Sequence, residues 1–127
     1  MGGFGILNTA IRDFRDLVLW QRAMQYAKEV YLITRAFPSD ERFGLTSQLR
    51  RAAVSVSSNI AEGHARQGRE YAHFLSVARG SLAESESQLL LAVELGFITD
   101  DSIIDCLNIA QEIRLMSIAI AKRLPPK

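Results

Sequence analysis

The sequence is poor in the residues that build metal and cofactor sites, with one cysteine and two histidines among 127 residues. The lone cysteine, Cys106, excludes an internal disulfide bond and favours a reducing compartment. No apolar run approaches the roughly 20 residues that a membrane-spanning helix needs. The amino terminus lacks the charged start and long apolar stretch of a signal peptide. We therefore expect a cytoplasmic protein without a membrane segment.

The sequence also lacks a strong excess of either charge. Fifteen Lys and Arg stand against 14 Asp and Glu, a formal net charge of +1, whereas a domain that binds nucleic acid is usually strongly basic. The distribution is less even. Residues 1–66 carry nine basic against six acidic side chains, and residues 67–100 carry two against five. This pattern excludes a basic protein and still allows a local basic patch.

Apolar residues recur with helical spacing in four segments, at about residues 17–37, 41–66, 69–95 and 100–124. The first places Tyr31 among its apolar stripe at 100° per residue. The last alternates spacings of three and four, which is typical of a heptad seam. No segment alternates with the period of two that a half-buried strand requires.

Punctuation residues separate these segments. Pro38 ends the first helix, and Ser39–Asp40 are expected to cap the second. Gly68 and Gly96 are expected to end the second and third helices, with Gly63 as an alternative, earlier end of the second. Thr99–Asp101 are expected to cap the fourth and to place negative charge at its amino-terminal end.

The connections between these helices are short, so neighbouring helices are expected to run antiparallel. The sequence therefore predicts an all-α fold, an antiparallel up-down-up-down four-helix bundle over residues 14–124. Residues 1–13, which include three glycines, are expected to form a flexible leader.

Three helices carry apolar residues outside their core stripe. Contiguous exposed apolar patches mark association surfaces, so we expect a homo-oligomer with closed symmetry. The residues assigned to oligomer packing are Val54, Ala61, Leu90, Leu91, Leu95, Ile104, Leu115 and Ile118.

A polar stripe lies along one side of the second helix, at spacings i, i+4, i+7 and i+11, with a comparable edge on the third. Charges beside packed surfaces need partners. We interpret the stripe as a hydrogen-bond network between helices or subunits, with a ligand site as the alternative. Its members are Arg51, Ser55, Ser58, Glu62, Glu84 and Gln88.

Four arginines, Arg50, Arg51, Arg66 and Arg69, are the candidate nucleic-acid contacts, because guanidinium groups bind phosphate in a bidentate manner. The alternative is an ordinary solvated surface.

Residues with catalytic potential are few. Glu70 and His73 have the i, i+3 spacing of half a di-iron site, but no second pair accompanies them. Cys106 lies on the heptad seam, where a cysteine is usually a small hydrophobe. No Gly-x-Ser-x-Gly elbow surrounds a serine. We expect no enzymatic activity, no metal or cofactor and no small-molecule substrate.

Five segments carry a family resemblance: Phe14–Ala23, Phe37–Pro38, Gly44–Ser55, Asn59–Gly63 and Phe74–Ser81. Together they resemble the 23S ribosomal RNA intervening-sequence protein family, and the resemblance extends over nearly the whole chain. The resemblance implies a four-helix bundle that assembles into a homopentamer, without established catalytic residues. A related branch, the accessory variability determinant of diversity-generating retroelements, works with a reverse transcriptase and nucleic acid. The resemblance therefore implies an accessory or scaffolding role, with nucleic-acid binding as the alternative.

Overall fold

The computed structural model describes residues 13–125, which form four α-helices with no β-strand among them. Short 3-10 turns precede the first, second and fourth helices. The α-helices are α1 Val18–Thr34, α2 Leu45–Arg66, α3 Gly68–Glu94 and α4 Ile104–Lys122. The predicted all-α class is confirmed for this part of the chain.

The predicted leader falls almost wholly on residues 1–12, which lie outside the described residues. Asp13 is the exception. Its carboxylate accepts a hydrogen bond of 2.9 Å from the Arg15 backbone N–H and so caps the 3-10 turn Phe14–Asp16.

Each helix buries one stripe of side chains against the others. Burial of large apolar side chains such as these stabilises the fold by about 1.5–3 kcal/mol each. The fully buried side chains of this core include Tyr26, Leu49, Ile60, Leu75, Leu82, Leu89 and Ile113. Tyr31, which was predicted on the stripe of α1, is exposed instead. The Arg50 guanidinium covers its ring, 4.5 Å from the ring centroid.

The first two helices are shorter than predicted where they meet. The α1 helix ends at Thr34 rather than at residue 37, because the Phe37 backbone N–H bonds back to the Thr34 carbonyl in a tighter turn. The α2 helix begins at Leu45 rather than at residue 41. Its cap is Glu41, whose carboxylate accepts a hydrogen bond of 3.0 Å from the Leu45 backbone N–H.

The link between α2 and α3 is a single residue, Gln67, with φ of 60°. Its side-chain amide donates to the His64 carbonyl at the end of α2. Gly68 was predicted to end α2, but it opens α3 in the left-handed region. The α2 helix ends at Arg66, as its predicted bounds have it, and the residue that ends it is Gln67 rather than Gly68.

Gly96 ends α3 as predicted, with φ of +77°. The Gly96 and Phe97 backbone N–H groups bond back to the Val93 and Ala92 carbonyls at 2.9 and 3.0 Å, the pattern of a Schellman cap.

The fourth helix starts later than predicted. Residues Asp100–Ile103 form a 3-10 turn before α4. Thr99 makes no side-chain capping bond. Its carbonyl instead accepts a hydrogen bond of 2.6 Å from the Ser102 hydroxyl.

The four helices form a closed ring of contacts, in which α2 packs on α1 and α3, and α4 packs on α3 and α1. The α2–α3 contact is the most extensive. Gly63 shows how closely these helices approach, since a Cβ added there would lie 2.8 Å from the Phe74 Cβ. A real Cβ would not be tolerated at that distance without a shift of one helix.

Candidate functional site

The polar stripe of α2 meets α3 through a pair of serines. The Ser55 and Ser81 hydroxyls are 2.9 Å apart. Asn59, one turn further along α2, donates to the Ser55 carbonyl at 2.8 Å and to its hydroxyl at 2.9 Å. Two small residues at the crossing let the helices approach closely, so this contact joins α2 to α3.

A groove of about 310 Å³ opens beside these serines, between α2 and α3. Arg51 and Glu84 lie on its two walls, and no ion pair joins them in residues 13–125. Gln88 donates to a Glu84 carboxylate oxygen at 3.4 Å, while the Gln88 Oε1 atom is buried without a hydrogen-bond partner. Gln88, next to the groove residue Glu84 on α3, is therefore only partly satisfied.

The predicted polar network is thus brought together in part. Arg51, Ser55 and Glu84 line the α2–α3 groove, and Gln88 bonds to Glu84. Glu62 pairs instead with Arg66 at the far end of α2, at 2.8 Å. The remaining member of the stripe, the serine at position 58, is exposed.

The four candidate arginines do not form one patch. The Arg50 side chain contacts α1, where it stacks on Tyr31 and donates to the Thr34 hydroxyl at 2.8 Å. Arg51 lies in the α2–α3 groove, about 100° around the helix from its neighbour. Arg66 is about 22 Å further along α2 at 1.5 Å per residue.

Arg66 is held between two carboxylates. Its guanidinium lies 2.8 Å from Glu62 and 3.4 Å from Glu70, and 5.3 Å from the ring centroid of Phe74. The hydrogen bond to Glu62, followed by that to Glu70, raises the pKa of Arg66. Two negative groups therefore compete with any phosphate that approaches this arginine.

Arg69 shares a shallow concavity of about 490 Å³ with Arg66, Glu70, His73 and Phe74. The ring centroids of His73 and Phe74 are 5.4 Å apart in an edge-on arrangement. The predicted nucleic-acid contacts thus come together only as this pair of arginines beside two aromatic rings.

The i, i+3 pair Glu70 and His73 lies in this same concavity, with Glu70 turned to Arg66. No group of three or more His, Cys, Asp or Glu side chains able to hold a metal occurs within residues 13–125. Cys106 is buried in the core, and burial raises its pKa to about 12. Its thiol is therefore protonated at neutral pH and a poor nucleophile.

Apolar side chains, most of them exposed, lie on the side of the bundle that α1 and α2 form. Because Arg50 bonds to Thr34 on α1, the side of α2 that carries Arg50 faces α1. Val54 lies one turn further on the same side. We define the α1–α2 face by Met24, Tyr31, Val54 and Ala61, of which Ala61 is half-buried and the others are exposed.

A second apolar surface covers α3 and α4. Arg114 of α4 pairs with Glu86 of α3, so these sides of the two helices face each other. Leu90 lies one turn after Glu86, and Ile118 lies one turn after Arg114. We define the α3–α4 face by Leu90, Ile104, Leu115 and Ile118, of which Ile118 is half-buried and the others are exposed.

Of the residues assigned to oligomer packing, two belong to neither face. Leu91 and Leu95 are exposed and share a side of α3 that is turned about 100° or more from Leu90. In the ring of helices the pair α1 and α2 lies opposite the pair α3 and α4. The two apolar faces therefore lie on opposite sides of the bundle.

Sequence reasoning missed the partners across helices. Ser81, Asn59 and the half-buried Glu86–Arg114 pair were not assigned, although Asn59 follows Ser55 by one turn. That i+4 spacing was the only signal in the sequence, because Ser55 and Ser81 are 26 residues apart along the chain.

None of the helices that the structure describes is long and apolar enough to cross a membrane. The fold and its surfaces define an all-helical bundle protein with polar grooves and exposed apolar faces. The sequence matches the family model of the 23S rRNA-intervening sequence protein over residues 15–119. The chain belongs to this family, as its sequence resemblance indicated.

A solved structure from Bacteroides thetaiotaomicron, a protein with unknown function from the S23 ribosomal protein family, is similar in fold. It is 24% identical with a TM-score of 0.73, and the match covers 83% of this chain and 99% of that chain. At this identity the likeness concerns the fold alone. The curated proteins include no match to the chain.

Proposed function

We propose that the chain is a non-enzymatic accessory or scaffolding protein of the cytoplasm that works as a homo-oligomer. The resemblance to its family favours a pentamer. The observation that carries the proposal is the presence of exposed Val54, Leu90, Ile104 and Leu115 on opposite faces of one small bundle. Association would remove this surface from water, a gain of about 25 cal/mol per Å² of apolar area.

The proposal includes an antiparallel, up-down-up-down arrangement of the helices. The partner residues support it, because their numbers fall on one helix as they rise on the next. Ser55 of α2 meets Ser81 of α3, whereas Gly63 approaches Phe74. Arg79 of α3 meets Ser117 of α4, whereas Glu86 meets Arg114. Short links between helices agree with this arrangement.

Sedimentation velocity on the purified wild-type chain tests the proposal. We expect a single species heavier than the 14.2 kDa chain at micromolar concentration. Non-specific aggregation would instead give a broad distribution of species. As a control for it, the measurement is repeated in urea at concentrations that leave the helical circular dichroism unchanged. A monomer throughout the micromolar range would refute the proposal.

Nucleic-acid binding by arginines pooled across the oligomer is a second candidate, favoured by the concavity at the α2–α3 link. There Arg66 and Arg69 lie beside the rings of His73 and Phe74. Proteins that bind single-stranded nucleic acid combine positive side chains with aromatic rings on which the bases stack. Several copies of a weak site in one assembly increase the overall affinity. Glu70 opposes this binding within the same concavity.

Retention of mixed RNA and DNA at low salt tests this second candidate. Binding is expected to weaken steeply as salt rises, since phosphate contacts release counterions. Arg69→Gln is expected to reduce retention, whereas Arg123→Gln, exposed at the end of α4, is the matched control. Absence of retention at low salt, or equal retention by both variants, would exclude this site.

A further inference from the structure

The two apolar faces lie on opposite sides of the bundle, and this geometry limits how copies can associate. A two-fold contact uses the same patch on both copies and leaves the other patch uncovered. A head-to-tail contact joins one face of each kind, so in a closed ring both faces of every copy are covered. We propose that the α1–α2 face of one copy packs on the α3–α4 face of the next. This inference rests on the proposed homo-oligomer and specifies its interface.

The charges around the two faces are complementary. Lys28 and Arg35 flank Tyr31 at spacings of three and four residues on α1, and Arg50 covers its ring. No acidic residue of α1 or α2 shares this side at helical spacing, since Glu29 and Glu62 lie towards α4 and α3. The helices of the α1–α2 face are therefore basic. The link between them carries Asp40 and Glu41 beside Arg42, and the Glu41 carboxylate is turned to the Leu45 backbone N–H.

The α3–α4 face is acidic around Leu90. Glu86 and Glu94 lie one turn before and one turn after Leu90 on α3. Arg114 pairs with Glu86 and offsets part of this charge. Glu94 remains without an ion pair in the described part of the chain. The basic residues Arg79 and Lys122 of this side lie towards the other ends of their helices.

With the helices antiparallel, the end of α1 and the start of α2 lie level with the end of α3 and the start of α4. A ring whose axis runs along the bundle joins faces at equal height. Arg35 and Arg50 of one copy would then meet Glu86 and Glu94 of the next. Unlike faces attract and like faces repel, which favours the head-to-tail contact over a two-fold one.

The shapes of the faces also differ in a complementary way. Along α2 the α1–α2 face presents Val54 and Ala61, whose side chains are shorter than those of the other face, and Met24 and Tyr31 border them on α1. The α3–α4 face presents larger branched side chains at Leu90, Ile104 and Leu115, all exposed. Large side chains pack into the spaces that small residues leave on a facing helix.

Two blocking variants test the pairing. Val54→Glu gives the basic face the charge of the face that it contacts, and Leu90→Lys does the same to the acidic face, so each substituted face repels its partner face. Each variant keeps one face intact, so each alone is expected to be a monomer. An equimolar mixture is expected to form species that contain both variants in equal numbers, from the 1:1 dimer upwards, because the intact face of each variant fits the intact face of the other. Native mass spectrometry with one variant isotope-labelled identifies these mixed species.

Matched controls separate the faces from a general effect of surface charge. Val77→Glu places the same change at 38% exposure, against 40% for Val54. Leu32→Lys, about 100° around α1 from Tyr31, places it at 43% exposure, against 51% for Leu90. Both controls are expected to assemble as the wild type does. Met24→Glu and Leu115→Lys replace a blocking variant whose circular dichroism shows loss of the fold.

The outcomes distinguish the inference from the proposed function. A monomeric wild type would overturn the homo-oligomer and the inference together. An oligomeric wild type with monomeric variants that do not combine would overturn the head-to-tail pairing alone. So would a blocking variant that assembles as the wild type does, or a control that becomes monomeric.

Discussion

Replacing Gly63 by alanine tests whether the close approach of α2 and α3 depends on the absence of a side chain. The new Cβ would lie 2.8 Å from the Phe74 Cβ and 3.3 Å from the Tyr71 carbonyl oxygen. Carbon atoms pack best at about 3.5–4.0 Å, so α2 and α3 must separate. Overpacking of this kind costs about 1–3 kcal/mol.

Gly80→Ala is the matched control within α3. Gly80 is exposed, and a Cβ added there meets no atom within 4 Å. Both substitutions gain about 1 kcal/mol of helix propensity, because alanine loses less backbone entropy than glycine. This gain cancels in the comparison. The difference between the two variants therefore measures the strain at Gly63, about 1–3 kcal/mol.

Urea unfolding followed by circular dichroism, at one chain concentration for all variants, measures these free energies. Gly80→Ala is expected to unfold at higher urea than the wild type, and Gly63→Ala at lower urea than Gly80→Ala. A Gly63→Ala variant as stable as Gly80→Ala would refute the close approach of the two helices.

Three further predictions concern buried and half-buried side chains of the bundle. Tyr26→Phe removes the hydroxyl that lies 2.7 Å from the Ser85 hydroxyl and is expected to cost about 1 kcal/mol in urea unfolding, with Ser85→Ala in the Phe variant as the second half of a cycle. Stability is expected to fall as pH rises above 9 towards 12, because burial raises the pKa of Cys106 from 9.0 to about 12. The unfolded thiol then loses its proton first, a slope of about −1.4 kcal/mol per pH unit that Cys106→Ala removes. The half-buried Glu86–Arg114 pair is expected to show a coupling free energy above the roughly 1 kcal/mol of exposed pairs in a double-mutant cycle.

Each of these three predictions has a result that would contradict it. A Tyr26→Phe variant as stable as the wild type would show that the buried hydroxyl contributes nothing net. An unchanged alkaline slope in Cys106→Ala would show that the thiol ionises alike in both states. A coupling near zero between Glu86 and Arg114 would show that the pair is no stronger than a solvated one.

The helices were predictable because each carries one apolar stripe at a spacing that only a helix satisfies. The end of α3 was predictable because Gly96 supplies the left-handed residue that a Schellman cap needs. The starts of α2 and α4 were not. Several polar residues near each start were able to cap. The Glu41 carboxylate accepts from a backbone N–H at the start of α2, and the Thr99 carbonyl accepts from the Ser102 backbone N–H before α4.

For the candidate site, the sequence predicted which residues share one side of a helix, but not which residues of other helices they contact. The spacing of Arg51 and Ser55 assigned them to one side of α2, and they do line one groove. Arg50 was grouped with Arg51 by residue type, although one residue along a helix turns a side chain by about 100°. Arg50 consequently reaches α1, and its stacking on Tyr31 follows from the packing of two helices that the sequence does not specify.

The separation of the apolar residues into two opposite faces also depended on the structure. Sequence periodicity shows that Val54 and Leu90 lie off the core stripes of their own helices. It does not show that α1 and α2 lie opposite α3 and α4, because that follows from which helices touch.

Native mass spectrometry of the wild-type chain at micromolar concentration tests the central claim most directly. The account predicts one main species at a whole multiple of 14.2 kDa, with five copies as the multiple that the family resemblance favours. A single species at 14.2 kDa, unchanged across the concentration range, would contradict it.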